Sequence, residues 1–352
     1  MAVVCLGEPA SCAAAEDITK PVRVGILGFD NYQGLAFAQL FNSPQADGEL
    51  VGLRVTAVYP EPCPDYPESE ALTKRWQESV AKWGVEGSNN VLRTYHPVRM
   101  VDSVEALLAE VDAVMIASLD GRLHRRQAEP VLKAGKRLFI TRPIAASLED
   151  TRAILELSRQ TGTPMFSSSQ HRYSPGFAGM RNHPEVGRVL GCDVYGGFEI
   201  KGPAADELIR PLHGIETLYA IMGPGVTTVT CTSAPTAEVM TLVWRDGRAA
   251  TYRGIKEGKL KYSATVFGEA GVSTAGIYGH GVPVQGVVPI KDKYMGYEGI
   301  AREIAKFFKG GPTPVPAGKT LEIFGVMEAA ERSRANGGAR IAVADVLQPQ
   351  AK

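Results

Sequence analysis

The sequence predicts an α/β protein, with an N-terminal Rossmann-like, doubly wound parallel sheet followed by a C-terminal α+β domain with a largely antiparallel, open sheet. Between residues 21 and 166, short apolar runs alternate with stretches of helical periodicity, the order that produces right-handed crossovers and parallel strands. From residue 191 onward, strand-like runs follow one another through tight turns. With 352 residues, 44% of them hydrophobic, the chain can build two cores.

The first half alternates strands with helices. Apolar, β-branched runs predict strands at 21–27, 53–59, 90–95, 113–117, 138–140 and 164–166. Helical spacing and helix signals predict helices at 35–41, 68–83, 104–111, 123–134 and 148–161. Asp102 with Glu105 is expected to cap the third of these helices, and Ser147 with Asp150 is expected to cap the fifth.

The second half is dominated by strands. They are predicted at 192–200, 226–232, 239–244, 249–253 and 263–267, with a helix at 209–222 before the second of them and closing helices at 297–308 and 321–333. Asp246-Gly247, between two of these strands, is typical of a hairpin turn. The glycine-rich residues 271–286 are expected to be a loop. Such a sheet can present one face to helices and the other to a partner subunit.

Charge and cysteine content exclude several classes of protein. Lys plus Arg and Asp plus Glu both number 38, so no net charge attracts nucleic acid or an anionic membrane, and a small, locally recognised substrate fits better. The five cysteines are scattered and include no Cys-x-x-Cys pair, which argues against a disulfide framework and a zinc site. The spacing of the histidines predicts no metal site either.

The N-terminus is open to two interpretations. Residues 2–7 are apolar and residues 13–15 are three alanines, which resemble a signal-peptide cleavage site, but no basic residue precedes the apolar part. In the first interpretation, residues 1–15 are a truncated signal peptide of an exported, periplasmic protein. Alternatively, residues 1–20 are a disordered tail of a cytoplasmic one.

The first turn between strand and helix runs from Gly28 through Phe29, Asp30 and Asn31 to Gly34. A dinucleotide fingerprint, Gly-x-Gly-x-x-Gly, lets the backbone approach a pyrophosphate that lies on the helix N-terminus. Gly28 takes the first position, Asp30 stands in the second, and Gly34 comes one residue late for the third. Asp30 beneath a pyrophosphate would repel it unless the inserted residue moves its side chain aside. The alternative is a doubly wound domain that binds no dinucleotide.

The end of the second strand normally carries an acid that bonds the adenosine ribose. Here the strand ends in Tyr59-Pro60-Glu61. Glu61 is therefore the candidate acid, although the strand-end position itself is not acidic. The sequence leaves the choice between NAD and NADP open.

Four further segments are similar to the motifs of one family. Residues 111–124 resemble its fourth strand and Thr-Pro-Asn-x-x-His loop, and residues 141–143 (Thr-Arg-Pro) stand where the family has Glu-Lys-Pro. Residues 171–175 resemble an Arg-Phe-x-Pro segment, and residues 213–216 resemble a His-x-x-Asp helix. In their order and spacing, residues 22–346 resemble the Gfo/Idh/MocA oxidoreductases.

This resemblance implies a nicotinamide-dependent oxidoreductase that transfers a hydride between NAD or NADP and a sugar, polyol or sugar derivative. It implies an NAD(P)-binding domain at 21–145, a substrate and oligomerisation domain at 146–348, and a homo-oligomer, either a dimer or a tetramer. The cofactor contacts that it implies are Gly28, Phe29, Asp30, Asn31, Glu61, Ser118, Asp120, His124, Thr141 and Arg142. The substrate contacts that it implies are Arg172, Tyr173, Arg210 and His213.

The sequence departs from the family at the catalytic lysine, which is Arg142 here, and at the acid before the histidine, which is Ile209. An arginine keeps the positive charge and polarises an oxygen, but it does not exchange a proton near neutral pH. His213 is therefore the predicted proton-transfer residue. Glu216, on the same helix face, is predicted to orient the imidazole or to bind a substrate hydroxyl. The predicted catalytic residues are Arg142, His213 and Glu216.

Other roles and functions stay open at this point. Arg142 is alternatively an ion-pairing residue, His124 a helix cap, and Arg172 with Tyr173 a contact that closes the domain interface. One alternative function is an enzyme that retains NAD and cleaves a glycosidic bond by elimination or hydrolysis through transient oxidation. Another is a non-catalytic sugar-binding protein, which the loss of both family residues favours.

Overall fold

The computed structural model of the chain describes residues 20–88, 91–181, 183–198, 210–258, 261–276, 279–280 and 296–348. These residues form one sheet of six strands and one of eight, with helices packed against both. The predicted α/β architecture is confirmed. Residues 1–19, which hold both interpretations of the N-terminus, lie outside the described residues.

The strands of the first sheet are β1 (Val22–Leu27), β2 (Leu53–Tyr59), β3 (Arg99–Met100), β4 (Ala113–Ile116), β5 (Arg137–Thr141) and β6 (Met165–Ser168). They lie in the order β3-β2-β1-β4-β5-β6, and every neighbouring pair is parallel. Each residue of β4 is apolar and buried, as expected for a central strand covered on both faces. The strand order reverses between β1 and β4, so their carboxyl ends flank a crevice where doubly wound sheets bind ligands.

The helices that connect these strands are α1 (Tyr32–Asn42), α2 (Ser69–Val80), α3 (Val104–Glu110), α4 (His124–Lys133) and α5 (Leu148–Thr161). The predicted cap of α5 is confirmed, because Oγ of Ser147 accepts the backbone N–H of Asp150 at 3.0 Å. The predicted cap of α3 is wrong. Ser103, rather than Asp102, has the extended backbone of a cap, and its hydroxyl accepts the N–H of Ala106 at 3.1 Å.

The predicted third strand is misplaced. Residues 92–94 form a single 3₁₀ turn, and β3 follows at Arg99–Met100, paired with β2. The aromatic and apolar residues that suggested a strand are used for packing instead. Tyr95 lies against Trp83, with 5.1 Å between ring centroids. The edge strand is only two residues long, which leaves little pattern for a sequence to show.

The strands of the second sheet are β7 (Val189–Gly197), β8 (Val226–Ser233), β9 (Ala237–Trp244), β10 (Ala249–Ile255), β11 (Ser263–Gly268), β12 (Val272–Gly276), β13 (Gly279–His280) and β14 (Ile341–Ala342). Their order is β13-β12-β11-β7-β10-β9-β8-β14. All neighbours are antiparallel except β7 and β10, so the largely antiparallel prediction is confirmed. The hairpin at Asp246-Gly247 is confirmed too, since Gly247 has φ +84° between β9 and β10.

The predicted loop at 271–286 is wrong where the structure describes it. Residues 272–276 form β12, which pairs with β11, and residues 279–280 form β13. The sequence did not predict this strand because its buried positions are the small residues Ser273 and Ala275, which give no clear alternation of large apolar residues. Residues 277–278 and 281–286 lie outside the described residues.

Two long helices pack against the second sheet, α7 (Leu212–Met222) and α9 (Ala317–Ala335). All residues of α7 are buried, and its Gly214 is required by close packing, since a Cβ there would lie 2.1 Å from the Tyr252 ring. The predicted start of this helix, 209, lies outside the described residues. The predicted closing helices are confirmed as α8 (Glu298–Phe308) and α9, and the structure adds α6 (Pro175–Ala178) and α10 (Val343–Leu347).

Helix α8 belongs to the first core although it comes late in the chain. Its Ile300 and Phe307 are buried in the same apolar cluster as Phe139 and Phe166 of the first sheet. The rings of Phe166 and Phe307 meet edge-on, with centroids 5.0 Å apart. The division of the chain at 145/146 stays a prediction. Residues on both sides of it build the first core.

In the described part of the chain, no helix combines the length and the apolar character needed to span a membrane. The same residues contain no cluster of three or more His, Cys, Asp or Glu side chains that could hold a metal ion. Cys63, Cys192 and Cys231 are buried, free thiols.

Candidate active site

The turn after β1 packs tightly against the loop after β4. Gly28 has φ +79°, and a Cβ added there would lie 2.0 Å from Oγ of Ser118 and 2.8 Å from its backbone nitrogen. Glycine is therefore required at this position. The N–H of Gly28 donates to the carbonyl of Tyr59 at 2.9 Å, which ties the turn to the end of β2. This geometry matches the role of the first glycine in a dinucleotide-binding turn.

The carboxyl group of Asp30 is held by two neighbouring segments. Its Oδ1 accepts the N–H of Leu119 at 2.8 Å, and its Oδ2 accepts the hydroxyl of Ser69 at 2.7 Å. Asp30 is only 1% exposed, and burial raises the pKa of its carboxyl group. The cap of α1 is Asn31, whose Oδ1 accepts the N–H of Gln33 at 3.0 Å. Because both oxygens of this carboxyl group accept hydrogen bonds from neighbouring segments, the predicted repulsion of a pyrophosphate is weakened.

The predicted ribose-binding acid, Glu61, is held by side chains of α4. It pairs with Arg126 at 2.7 Å and accepts a hydrogen bond from Nε2 of Gln127 at 2.7 Å. Gln127 also donates to Oγ of Ser118 at 2.8 Å, so the predicted cofactor contacts Glu61 and Ser118 belong to one network. To reach a ribose, Glu61 must share its carboxylate with Arg126 or release it.

Three of these observations fit a bound dinucleotide, and one reduces the number of hydrogen-bond donors that it could use. The reversal of strand order beside β1, the close approach at Gly28 and the engaged side chain of Asp30 suit a pyrophosphate at the start of α1. Not every backbone donor of the turn is available, because the N–H of Phe29 donates to the carbonyl of Pro60 at 2.8 Å.

Asp120 holds the loop after β4 in place. Its carboxylate accepts a hydrogen bond from Nη2 of Arg122 at 2.6 Å and one from the thiol of Cys63 at 3.2 Å. Asp120 and Thr141, at the end of β5, are both buried. Either residue would therefore contact a cofactor only through a small part of its surface.

His124 links the loop after β4 to the loop after β5. Its Nδ1 lies 2.9 Å from the carbonyl oxygen of Pro143, its Nε2 lies 3.1 Å from that of Ser118, and the ring is fully buried. The residue at the N-cap of α4 is Leu123, which has no side-chain cap. The buried His124 therefore connects two loops that border the crevice, and it caps no helix.

Arg142 follows β5 and faces the start of α1. With the Gln33 amide oriented so that its oxygen meets the guanidinium, that oxygen accepts from Nη2 at 3.0 Å and from Nε at 3.2 Å. Burial lowers the pKa of Arg142, and the phenols of Tyr297 and Tyr262 oppose this shift more weakly. An arginine in this setting still carries its charge at neutral pH. Among the described residues, no carboxylate forms an ion pair with it.

His213 lies on α7 in a cluster of rings. Its Nδ1 is 2.9 Å from Oγ of Ser169, and its ring centroid is 4.6 Å from that of His171 and 5.7 Å from that of Tyr262. It keeps 8% exposure. Burial, and then the charge of Arg142, hold the pKa of His213 well below its usual 6.5. His213 is therefore neutral at pH 7.

Glu216 does not contact the imidazole of His213. It forms an ion pair with Arg172, whose side chain is 13% exposed while that of Glu216 is 5% exposed. Its Oε1 accepts the backbone N–H of Ser169 at 3.2 Å. Glu216 thus bears on His213 indirectly, by fixing the segment that carries Ser169. Arg172 is neutralised by this pair.

Tyr173 and Arg210, two predicted substrate contacts, lie in different surroundings. Tyr173 packs on α8, where a Cβ at Gly299 would come 2.5 Å from its carbonyl oxygen. This contact joins α8 to the segment after β6. Arg210 lines a small cavity together with Glu238 and Glu331.

Sequence reasoning missed several residues of the cluster, namely Gln33, Ser169, His171, Thr217 and Tyr262. Signals for some of them were present. Ser169 and His171 follow the carboxyl end of a parallel strand, where functional residues collect, and Thr217 stands four residues after His213 on one helix face. The hydroxyl of Thr217 lies 3.1 Å from Nδ1 of His171. Gln33 and Tyr262 carry no comparable signal.

Comparison with known proteins agrees with this geometry. Residues 22–168 match the Gfo/Idh/MocA family model, described as an oxidoreductase family with an NAD-binding Rossmann fold. A 1,5-anhydro-D-fructose reductase from Ensifer adhaerens is 31% identical over 93 residues, which is 26% of this chain and 28% of that protein. An inositol 2-dehydrogenase from Rhizobium meliloti (strain 1021) is 32% identical over 147 residues, which is 39% of this chain and 44% of that protein. The aligned segments thus span less than half of these relatives.

The likeness of fold extends further than that of sequence. The myo-inositol dehydrogenase of Lactobacillus casei, solved with NAD(H) and myo-inositol, superposes with a TM-score of 0.66 at 17% identity and covers 92% of this chain and 96% of that one. At this identity the likeness establishes the fold alone. Together with the family match, it confirms the resemblance drawn from the sequence. Residues 22–168 thus match the NAD-binding Rossmann fold of the Gfo/Idh/MocA oxidoreductase family.

Proposed function

We propose that the protein is an NAD(P)-dependent oxidoreductase that interconverts a hydroxyl and a carbonyl group on a sugar, polyol or sugar derivative. The observation that carries the proposal is the placement of His213, a neutral imidazole whose Nδ1 is held by Ser169, in one cluster with the cation Arg142. The names of the relatives, an inositol 2-dehydrogenase and an anhydrofructose reductase, support this class of substrate.

The cofactor would be held by the turn at Gly28 and the start of α1, with Asp30 and Ser118 fixing the two loops that border the crevice. A bound nicotinamide supplies the hydride acceptor for oxidation and the hydride donor for reduction. Glu61, just after β2, is the candidate acid for an adenosine ribose, which it would bind by exchanging its contact with Arg126. Either NAD or NADP remains compatible with these residues.

In the direction of oxidation, His213 accepts the proton of the substrate hydroxyl at Nε2. For that to happen, Nδ1 must carry the other ring proton and donate it to Oγ of Ser169, 2.9 Å away. Arg142 polarises the substrate oxygen with its N–H groups and exchanges no proton. In the direction of reduction, the protonated imidazole returns its proton to the new alkoxide.

The first experiment is to denature the purified protein and to identify any released NAD(H) or NADP(H) by mass spectrometry and absorbance. If none is released, both reduced cofactors are titrated by fluorescence. The protein is then screened with polyols and sugars for a change at the absorbance of the reduced nicotinamide, with His213→Asn as the inactive reference. Failure to bind either cofactor would contradict the proposal at its root.

A non-catalytic, carbohydrate-binding role is favoured by one observation, the arginine in place of the family lysine. Arg142→Lys distinguishes the two functions. For an enzyme, the wild-type protein turns over and the variant changes the rate. For a binding protein, turnover appears only in the variant, if at all.

We also propose that the protein is a dimer or tetramer formed through the second sheet. Phe267 of β11 and Val272 of β12 are cross-strand partners, and they are 38% and 64% exposed. Leu190 of the neighbouring strand β7 is 41% exposed. Removing such side chains from water favours association of two copies. A monomer mass by light scattering at micromolar concentration would overturn this proposal.

A further inference from the structure

We propose that the substrate is a polyol that carries a carboxylate, such as a sugar acid, and that Arg142 is the residue that binds its carboxylate. This inference rests on the proposed oxidoreductase function and narrows it. It follows from the charges in the cluster and from the N–H groups that Arg142 still has to offer.

The charges around His213 leave one cation without a counterion in the described part of the chain. The guanidinium of Arg172 is neutralised by its ion pair with Glu216. His171 and His213 are both neutral at pH 7, since burial and the charge of Arg142 lower the pKa of each ring. Arg142 therefore gives the cluster a net charge of about +1.

A guanidinium in a largely buried setting is stable only when its charge is compensated. Among the described residues, the side chain that accepts from Arg142 is neutral, since Gln33, with its amide in the orientation given above, offers its oxygen to Nη2 and Nε. Arginine has five N–H donors, so both protons on Nη1 and one on Nη2 remain for another partner. Two of these N–H groups form a planar pair that suits a carboxylate, and the third is left to polarise the reacting oxygen. The available compensation is an anionic group on a ligand.

The chemistry of the site favours a carboxylate over a phosphate ester. A phosphate dianion carries nearly two charges, and its sites commonly use a second cation or a helix N-terminus. The second arginine of the cluster, Arg172, is committed to Glu216, and the N-terminus of α1 is already assigned to the pyrophosphate of the cofactor. One guanidinium matches one monoanion.

The location of Arg142 also indicates which carbon reacts. Its charge acts on the imidazole of His213, so the two side chains lie near each other. A carboxylate bound by Arg142 therefore places a nearby hydroxyl of the same molecule beside Nε2 of His213. We expect oxidation at a carbon close to the carboxylate.

The test measures binding by calorimetry for D-gluconate and D-glucuronate, with D-glucose as the neutral comparison, in the presence and absence of NAD(H). The wild-type protein should bind at least one of the acids at least about tenfold more tightly than glucose, as expected for a charged hydrogen bond. Arg142→Gln should lose at least about tenfold for that acid and little for glucose. Arg142→Lys keeps the positive charge but loses the planar pair of N–H donors. Its affinity for the acid should lie between those of the wild-type protein and Arg142→Gln.

The matched control is Arg188→Gln, because Arg188 is an exposed arginine paired with the exposed Glu269. It should bind the acid as the wild-type protein does, and circular dichroism should show that all variants are folded. Three outcomes overturn the inference: no binding of either acid, equal binding of acids and glucose, or equal losses for both in Arg142→Gln. If Arg142→Gln weakens NAD(H) binding and leaves the acids unaffected, the anion is the cofactor's phosphate and the inference is wrong.

Failure of the proposed function has a separate signature. In that case the wild-type protein binds neither reduced cofactor and transfers no hydride, while binding of the acids without cofactor is still measurable and still depends on Arg142. The two proposals can therefore fail independently.

Discussion

The Nδ1 atom of His213 lies 2.9 Å from Oγ of Ser169, and this hydrogen bond joins the two halves of the protein. Ser169 directly follows β6 of the first sheet, whereas His213 lies on the helix that packs against the second. The bond fixes the plane of the imidazole. It leaves Nε2 as the nitrogen that a substrate can use.

Ser169→Ala should lower kcat by about 10- to 100-fold with a smaller change in KM, because the imidazole loses the partner that orients it. The measurement is steady-state turnover with a substrate from the polyol screen. Ser158→Ala is the matched control, since the Ser158 hydroxyl donates to the carbonyl of Thr163, just after α5 and away from His213 in the sequence. A variant with wild-type kcat would show that Ser169 does not position His213.

Glu216→Gln should lower the free energy of unfolding by about 3–5 kcal/mol, because it leaves the guanidinium of Arg172 buried without its counterion. Arg172→Met should be destabilising for the complementary reason. The double variant should lose less than the sum of the two single losses, as urea unfolding of all four proteins would show. Additive losses would mean that the pair contributes no coupling.

Stability should fall as the pH drops below about 6.5. The pKa of His171 is lowered to about 3 by burial and by the charge of Arg142. An unfolded histidine takes up a proton below pH 6.5, while the buried ring stays neutral, so protons favour the unfolded chain in this window. Between pH 7.5 and 5.5 the loss should be about 1.4 kcal/mol for each such histidine.

Urea unfolding at the two pH values provides the measurement. The loss of unfolding free energy between the two pH values should be smaller in His171→Gln than in the wild-type protein, by about 1.4 kcal/mol. An equal pH dependence in both proteins would contradict the low pKa of His171.

Gly28→Ala should destabilise the protein by about 2–5 kcal/mol, because the new methyl group meets Ser118 and the backbone has a left-handed φ of +79°. It should also abolish binding of NAD(H). Gly135→Ala is the matched control, with φ +67° and open space around its Cβ position, and it should lose only about 1–2 kcal/mol. Thermal unfolding and fluorescence titration of NADH compare the two. Similar losses in both would show that contact with Ser118 adds nothing.

The strands and helices of the first sheet were predictable because buried parallel strands are nearly continuous apolar runs. Helix α5 was predicted to the residue, since its cap at Ser147 and its stop at Gly162 are both written in local sequence. The third strand was not, because β3 is a two-residue edge and the stronger apolar run before it packs as a turn. Strand β12 was missed because its buried positions hold serine and alanine.

The candidate site was less accessible to sequence reasoning than the fold. Proximity of Arg142 to Gln33 joins residues more than a hundred positions apart, and no local pattern encodes it. Glu216 is a clear example of the limit. Its place on the helix face suggested contact with His213, but its carboxylate forms an ion pair with Arg172 instead. The helical spacing predicted where Glu216 lies, but the tertiary packing determined that Arg172 is its partner.

Helix α8 has a consequence for how this protein can change over evolutionary time. The stretch that carries the family's signature ends at residue 168, yet the aromatic core of the nucleotide half is completed by Phe307, far downstream. A recombination event that swapped only the first stretch would bring in an unmatched surface for this helix. Residues 22–168 alone therefore do not contain the whole core of the first sheet, and exchanging them would require a matching helix α8.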